Sequence, residues 1–395
     1  MAKPTGARCN LDCAYCFFLK KDQLYPGSTF RMTDEVMEKY IRQTIAAHQT
    51  QQVTIAWQGG EPTLMGLDFF RRAVDIEMDA LRPGMTVENT LQTNGILLDD
   101  EWCQFLHEKR FLVGLSIDGP REMHDAYRRD KAGQSVFDQV VNAVRLMQKH
   151  KVEFNILCTI NAVNSQHPLE VYKFFRDELG AQYIQFIPIV ERVEPKGSDQ
   201  GSVISDPSPA GDEGVRITDR SVQPVQYGRF LIEIFDEWVK RDVGQTYVLF
   251  FDGVLASYVQ GRSSVCVLQP TCGEGVALEH NGDVYSCDHF VEPKHLLGNI
   301  NNTALGQLVS TVKQLRFGLA KSTSLPQTCR ECRFLFTCHG ECPKNRVLTT
   351  PDGEPNLNWL CAGLKEFFAH TEKPMKEMSA LLKSGHYADE IMNKK

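Results

Sequence analysis

Residues 7–18 read ARCNLDCAYCFF and space three cysteines as Cys9-x-x-x-Cys13-x-x-Cys16. A four-iron cube held by three thiolates on one short loop keeps its fourth iron open to a ligand that the protein does not supply. The same distinction separates closed, structural metal sites from open ones that bind and activate a substrate. A zinc loop would use the same residue type, so the rest of the chain has to decide between the two.

Working outward, residues 30 to 190 alternate short β-rich runs with amphipathic stretches. The runs VTIAWQ (53–58), ENTLQTN (88–94), FLVGLSID (111–118), VEFNILCTI (152–160) and YIQFIPIV (183–190) predict strands. In MTDEVMEKYIRQTIAAH the residues after Thr33 predict a helix, because Val36, Met37, Tyr40, Ile41 and Ile45 share one face. This alternation predicts a parallel sheet with crossover helices. A first strand ahead of the cysteine loop brings the count to six units, too few for an eight-unit barrel. The expected fold is therefore α/β, an open, partial (β/α)6 barrel. Only eight residues precede Cys9, so that first strand is expected to be very short or partly cut away.

Residues 191–222, rich in Gly, Ser, Pro and Asp and without periodicity, predict a mobile linker. A long helix in VQYGRFLIEIFDEWVKRDVG and a strand in TYVLFF are expected next, followed by a cysteine-rich module. Within it VALEHNGDVYSCD predicts a hairpin closed by a two-residue Asn281-Gly282 turn. The expected domains are 1–222, the partial barrel with its linker; 223–365, the cysteine-rich module; and 366–395, a helical tail.

The 395 residues exceed one ordinary core, and 42% apolar with 24% charged residues is the composition of a globular protein. A net charge of -7 gives no basic footprint for nucleic acid. No run of about 18 apolar residues is present to span a membrane, and MAKPTGARC contains no apolar signal core, which predicts a cytoplasmic protein. In such a compartment the thirteen cysteines read as metal ligands rather than disulfides. Cys103 and Cys158 fall in a helical and a strand-like run and read as small buried residues. The remaining eight, Cys266, Cys272, Cys287, Cys329, Cys332, Cys338, Cys342 and Cys361, suffice for two four-thiolate sites, which zinc and iron both accept.

Three further stretches carry candidate chemistry. QGGEPTL (58–64) ends the second strand, where two glycines let backbone approach a ligand closely at the rim that barrel enzymes use. LSIDGP ends the fourth strand with Ser116 and Asp118, and Arg128 follows; an arginine fork suits a carboxylate. Asp288 directly follows Cys287, and a carboxylate beside a cluster ligand can take a proton from a substrate thiol or hydroxyl within hydrogen-bond reach.

Taken together, ARCNLDCAYCF, WQGGEPTL, LQTNG, FLVGLSIDGP, KVEFNILC, IQFIP, NGDVYSCDH, the run TCRECRFLFTCHGEC and LNWLCAG resemble the anaerobic sulfatase-maturating enzymes. These belong to the radical S-adenosylmethionine superfamily and carry a C-terminal SPASM module. The resemblance covers the chain except the linker and the tail after 365. It implies three 4Fe-4S clusters and S-adenosylmethionine: one cube on Cys9, Cys13 and Cys16, one auxiliary cube on Cys266, Cys272, Cys287 and Cys342, and another on Cys329, Cys332, Cys338 and Cys361. It assigns Tyr15, Gly60, Glu61, Ser116, Arg128 and Val190 to the cofactor and Asp288 to general base catalysis.

The implied activity is oxidation of a Cys or Ser in a sulfatase Cys/Ser-x-Pro-x-Arg segment to Cα-formylglycine by a 5′-deoxyadenosyl radical. The implied partners are the sulfatase polypeptide and an electron donor such as flavodoxin or ferredoxin. Two other readings remain open on sequence. One is a different SPASM peptide-modifying enzyme, such as a thioether cross-linker; the other is a non-catalytic multi-cluster electron carrier, against which the QGGEP loop, Ser116 and Arg128 argue.

Overall fold

In the computed structural model, which describes residues 1–193, 203–205 and 216–393, the strand ahead of the cysteine loop is two residues long, β1 (Ala2–Lys3). There follow β2 (Gln52–Trp57), β3 (Thr86–Thr93), β4 (Leu112–Ser116), β5 (Glu153–Ile160) and β6 (Tyr183–Pro188), each ending within two residues of its expected bounds. Helix Asp34–Ala47 starts where Thr33 Oγ1 accepts the Val36 N–H (3.3 Å), a side-chain cap. All five of its expected face residues are buried.

The chain divides into two compact units. The first comprises Met1–Ile117, His124–Asn155 and Gly273–Gly318. In it β1 to β4 lie side by side in parallel, and the sheet continues past β1 through strands Ala277–Glu279, Asp283–Tyr285 and Leu296–Asn299. Its core is built on Trp57, which packs edge-on against Tyr40, Phe69 and Phe70 and donates its indole N–H to Asn89 Oδ1 (3.0 Å). A buried Trp needs such an acceptor for its one polar atom.

The hairpin forms, with a turn longer than expected. Register pairs Ala277 with Tyr285 and Leu278 with Val284, which leaves His280, Asn281 and Gly282 as a three-residue loop. Gly282 sits at φ 93°, its N–H bonded to Glu279 O (2.9 Å), and Asn281 Oδ1 accepts the Asp283 N–H (3.1 Å). Gly282 thus supplies the left-handed residue of a three-residue connection, and Asn281 precedes it in place of sharing a two-residue turn.

The second unit comprises Asp118–Met123, Ile156–Cys272 and Leu319–Lys395. There β5 and β6 pair in parallel, and β6 pairs in parallel with Tyr247–Val248. The parallel sheet is open and does not close into a barrel. TYVLFF is extended only at Tyr247–Val248; from Leu249 the chain is helical to Gln260. A short apolar run does not by its pattern separate a strand from a buried helix, and here Phe250, Phe251 and Val254 are buried on the helical side of that choice.

Helices Pro224–Arg241 and Cys361–Lys383 approach so closely that a Cβ on Gly363 would lie 1.8 Å from Pro224 O. Phe235, Trp238, Phe251 and Phe367 fill the core around them. Of the expected linker, residues 194–202 and 206–215 lie outside the described residues; Val203–Ser205 pairs antiparallel with Arg216–Thr218. Among the described residues no helix is long and apolar enough to cross a membrane.

Candidate functional site

Backbone bonds grip the cysteine loop from two sides. Gly60 N–H donates to Gly6 O (2.7 Å) and Glu61 N–H to Arg8 O (2.9 Å) on one side. On the other, Asp12 N–H donates to Arg129 O (2.9 Å) and Ala14 N–H to Tyr127 O (2.9 Å). Cys16 N–H closes a turn onto Cys13 O (2.9 Å). The second contact draws Arg128 to the loop: its guanidinium lies 5.4 Å from the centre of the Tyr15 ring, which stands edge-on to Tyr127. Ser116 is the last residue of β4 in this unit. Val190 is buried two residues past the end of β6, in the second unit.

Burial pushes the Cys9 thiol up to about 12, an effect that the Leu11 N–H donated to Sγ (3.4 Å) only partly opposes. Iron binding therefore displaces a proton from a thiol that is neutral in its absence. Cys13 and Cys16 add to the same rise, which places the three sulfurs within electrostatic reach of one another.

Glu61 is 1% exposed and fully engaged. Its Oε1 accepts Thr63 N–H (3.1 Å), Thr63 Oγ1 (2.7 Å) and Thr93 Oγ1 (2.8 Å), and its Oε2 accepts Asn94 N–H (2.8 Å). Burial raises its pKa and these donors oppose the rise. The carboxylate ties the loop after β2 to the end of β3, and Asn94 carries the tie onward. Asn94 Nδ2 donates to Asn10 Oδ1 (2.8 Å) and lies 3.8 Å from Cys9 Sγ. Asn94→Ala is expected to cost about 1–3 kcal/mol locally, the scale of an unmet buried partner. A chelator should then strip iron from the three-cysteine site several-fold faster, measured by iron release, with the auxiliary iron unaffected.

Asp288 opens a single helical turn, Asp288–Phe290, directly after Cys287. Its carboxylate forms an ion pair with Lys3, which is 1% exposed against 19% for Asp288. The Lys3 ammonium also lies 4.2 Å above the Phe18 ring and 3.5 Å from Gln58 Oε1. Phe18 is two residues past Cys16, and Gln58 precedes the two glycines, so one buried lysine joins the end of the cluster loop, the QGGEP loop and Asp288. Lys3 and Asn94 carry these links and were not singled out by the sequence. The available signals were a lysine in the short strand before the cysteine loop and the asparagine of LQTNG.

Three of the C-terminal cysteines lie in or at an end of helical segments. Cys329 lies in the helical turn Gln327–Arg330, Cys338 ends Leu335–Cys338, and Cys361 begins Cys361–Lys383. Cys332 N–H donates to Cys329 O (3.2 Å). Burial pushes Cys338 up to about 12, with Cys361 and Cys329 adding to the rise; burial also raises Cys361, with Cys329 and Cys332 adding. These four thiols therefore gather in the second unit. Cys266, Cys272 and Cys342 also belong to that unit, whereas Cys287 belongs to the first.

The donor set fits iron–sulfur clusters: eleven thiols, none in a disulfide among the described residues, that lose their protons on ligation. Among the described residues no three His, Cys, Asp or Glu side chains converge as they would on a single metal ion. A cube, which gives each thiolate its own iron, does not require such convergence.

Comparison with known proteins adds independent findings. Residues 4–175 match the radical SAM superfamily, and residues 270–333 match the iron–sulfur cluster-binding SPASM domain. A serine-type anaerobic sulfatase-maturating enzyme of Bacteroides thetaiotaomicron is 44% identical over 395 residues, covering 99% of this chain and 94% of the relative. A cysteine-type anaerobic sulfatase-maturating enzyme of Clostridium perfringens is 33% identical over 373 residues, covering 94% and 95%. A solved structure, native anSMEcpe with bound AdoMet and Cp18Cys peptide, superposes with a TM-score of 0.83 at 33% identity over 96% of this chain and 98% of the other. SuiB of Streptococcus suis bound to S-adenosylmethionine shares the fold at 14% identity, covering 90% of this chain and 75% of that one, with a TM-score of 0.57.

Proposed function

The chain belongs to the anaerobic sulfatase-maturating enzymes, and on that premise we propose how its own residues divide the work. The enzyme is a radical S-adenosylmethionine oxidoreductase that converts a Cys or Ser of a sulfatase segment to Cα-formylglycine without oxygen. Cys9, Cys13 and Cys16 would hold an iron–sulfur cube that, with S-adenosylmethionine bound, would supply hydrogen-atom abstraction from the substrate β-carbon.

The chain's part is to hold, orient and move a proton. Gly60 brings bare backbone to the cofactor, and Arg128, fixed against Tyr15, presents a fork for its carboxylate. Ser116 offers a hydroxyl to the ribose, and Val190 an apolar surface to the adenine. Glu61 acts through Asn94 by bracing the loop that bears Cys9. Asp288 takes the proton from the substrate thiol or hydroxyl while Lys3 fixes its carboxylate. Cys266, Cys272, Cys287 and Cys342, and separately Cys329, Cys332, Cys338 and Cys361, would hold two auxiliary cubes, one of which would take the electron left once the hydrogen atom and the proton have gone; with a Cys substrate, water then replaces the sulfur as hydrogen sulfide. The functional parts run 1–222, 223–365 and 366–395. A flavodoxin- or ferredoxin-type donor and a cytoplasmic location suit a chain rich in ligating thiols.

One observation carries this reading. The Lys3 ammonium touches both the Phe18 end of the cysteine loop and the Asp288 carboxylate, which supports Asp288 as the base. Lys3→Met is expected to lower formylglycine formation about 10-fold and raise the ratio of 5′-deoxyadenosine to product, because the Asp288 carboxylate then loses the cation that fixes it. Lys3→Arg should recover part of the coupling. The reading as a whole is tested by incubating reduced, reconstituted enzyme with paired 18-residue-scale peptides carrying Cys-x-Pro-x-Arg or Ser-x-Pro-x-Arg. Mass analysis should show conversion to the aldehyde; ring closure to a thioether would refute it.

A further inference from the structure

Lys321 and Arg346 are buried cations of the second unit, 1% and 5% exposed. Lys321 Nζ donates to Cys266 O (2.7 Å) and Val267 O (3.0 Å), so it grips the turn that carries Cys266. Its own carbonyl accepts Arg346 Nη1 (2.6 Å). The same guanidinium donates to the carbonyls of His339 (2.8 Å), Gly340 (2.9 Å) and Glu341 (3.3 Å). Those residues link Cys338 to Cys342, and all three have positive φ (45°, 71° and 52°). The two non-glycine members cost about 1–3 kcal/mol each unless their surroundings hold them. Arg346 holds that turn and Lys321 joins it to the Cys266 turn.

The turn that Arg346 holds also carries a carboxylate, Glu341. Glu341 is itself buried, its Oε2 taken by Asn345 (3.0 Å) and Asn358 (2.7 Å). Two buried cations against one carboxylate are costly. Thiolates ligating a cluster supply the missing negative charge.

We propose that Lys321 is the charge partner of the auxiliary cluster whose ligands in this unit are Cys266, Cys272 and Cys342, holding the Cys266 turn for ligation and keeping the cluster's reduction potential high. The inference rests on the auxiliary-cluster reading above. A positive charge in a low-dielectric setting favours the form of the cluster with the added electron, and its removal disfavours that form.

The test is an iron count and an EPR-monitored redox titration of reconstituted wild-type, Lys321→Gln and Lys321→Arg enzymes. Wild-type protein holding iron for one cube alone would overturn the auxiliary-cluster reading itself, before any variant is considered. With all clusters present, Lys321→Gln should either shift one auxiliary potential downward at full iron content or lose that cube's iron, and Lys321→Arg should restore both. An unchanged or raised potential in Lys321→Gln, or equal iron loss in both variants, would overturn the charge role.

Discussion

Asp288→Asn is expected to cut formylglycine formation by about 10²-fold or more, the lower end of what a positioned general base contributes, while release of 5′-deoxyadenosine continues. Asparagine matches the carboxylate in size and accepts no proton at neutral pH. Asp288 is partly exposed and opens only a single turn, so the fold should be spared. Product is weighed by mass and the nucleoside measured by chromatography in the same reaction. Normal product yield would remove Asp288 from the chemistry. Parallel loss of nucleoside and product would instead make it a structural partner of Lys3.

Gly60→Ala should be as damaging for a different physical reason. A Cβ there would stand 2.0 Å from Arg8 O and 2.4 Å from Arg8 C, both backbone atoms with no rotamer to yield. Relieving that overlap means moving Arg8 and with it Cys9, and would disturb the Gly60 N–H to Gly6 O and Glu61 N–H to Arg8 O bonds that hold the loop. Ordinary overpacking costs about 1–3 kcal/mol, and an overlap this deep exceeds it. The variant is expected to lose the iron of the three-cysteine site and all S-adenosylmethionine cleavage, while retaining auxiliary iron. Gly275→Ala, where a Cβ meets nothing within 4 Å, is the matched control and should be silent. Full iron content and cleavage in Gly60→Ala would show that the loop is not fixed by this contact.

The alternation of strands and helices was legible because β2 to β6 are short, apolar and separated by helices whose capping and single buried face follow local rules. Thr33 and the Val36 to Ile45 face are the clearest case. TYVLFF misled because its five consecutive apolar residues have no period to read, and the choice between strand and helix was made by the packing of Phe250 and Phe251 in the core. The Asn281-Gly282 pair announced a turn and not its length, which the pairing of Ala277 with Tyr285 sets.

The cysteines were expected to ligate metal because closely spaced thiols in a sequence without an apolar signal core have few other uses. What surrounds them was not. Lys3, Asn94, Lys321 and Arg346 are ordinary residues in the sequence. Their roles come from burial beside groups remote in the chain, such as Lys3 against Asp288 or Lys321 against Cys266. Glu61 was named for the cofactor, and the structure gives its carboxylate four donors from the chain itself.

The most direct measurement of the central claim uses a sulfatase-derived peptide doubly deuterated at the β-carbon of its target Cys or Ser, incubated with reconstituted, dithionite-reduced enzyme and S-adenosylmethionine under argon. The account predicts 5′-deoxyadenosine carrying one deuterium, released in step with an aldehyde-bearing peptide. Aldehyde formed alongside nucleoside that contains no deuterium would contradict it.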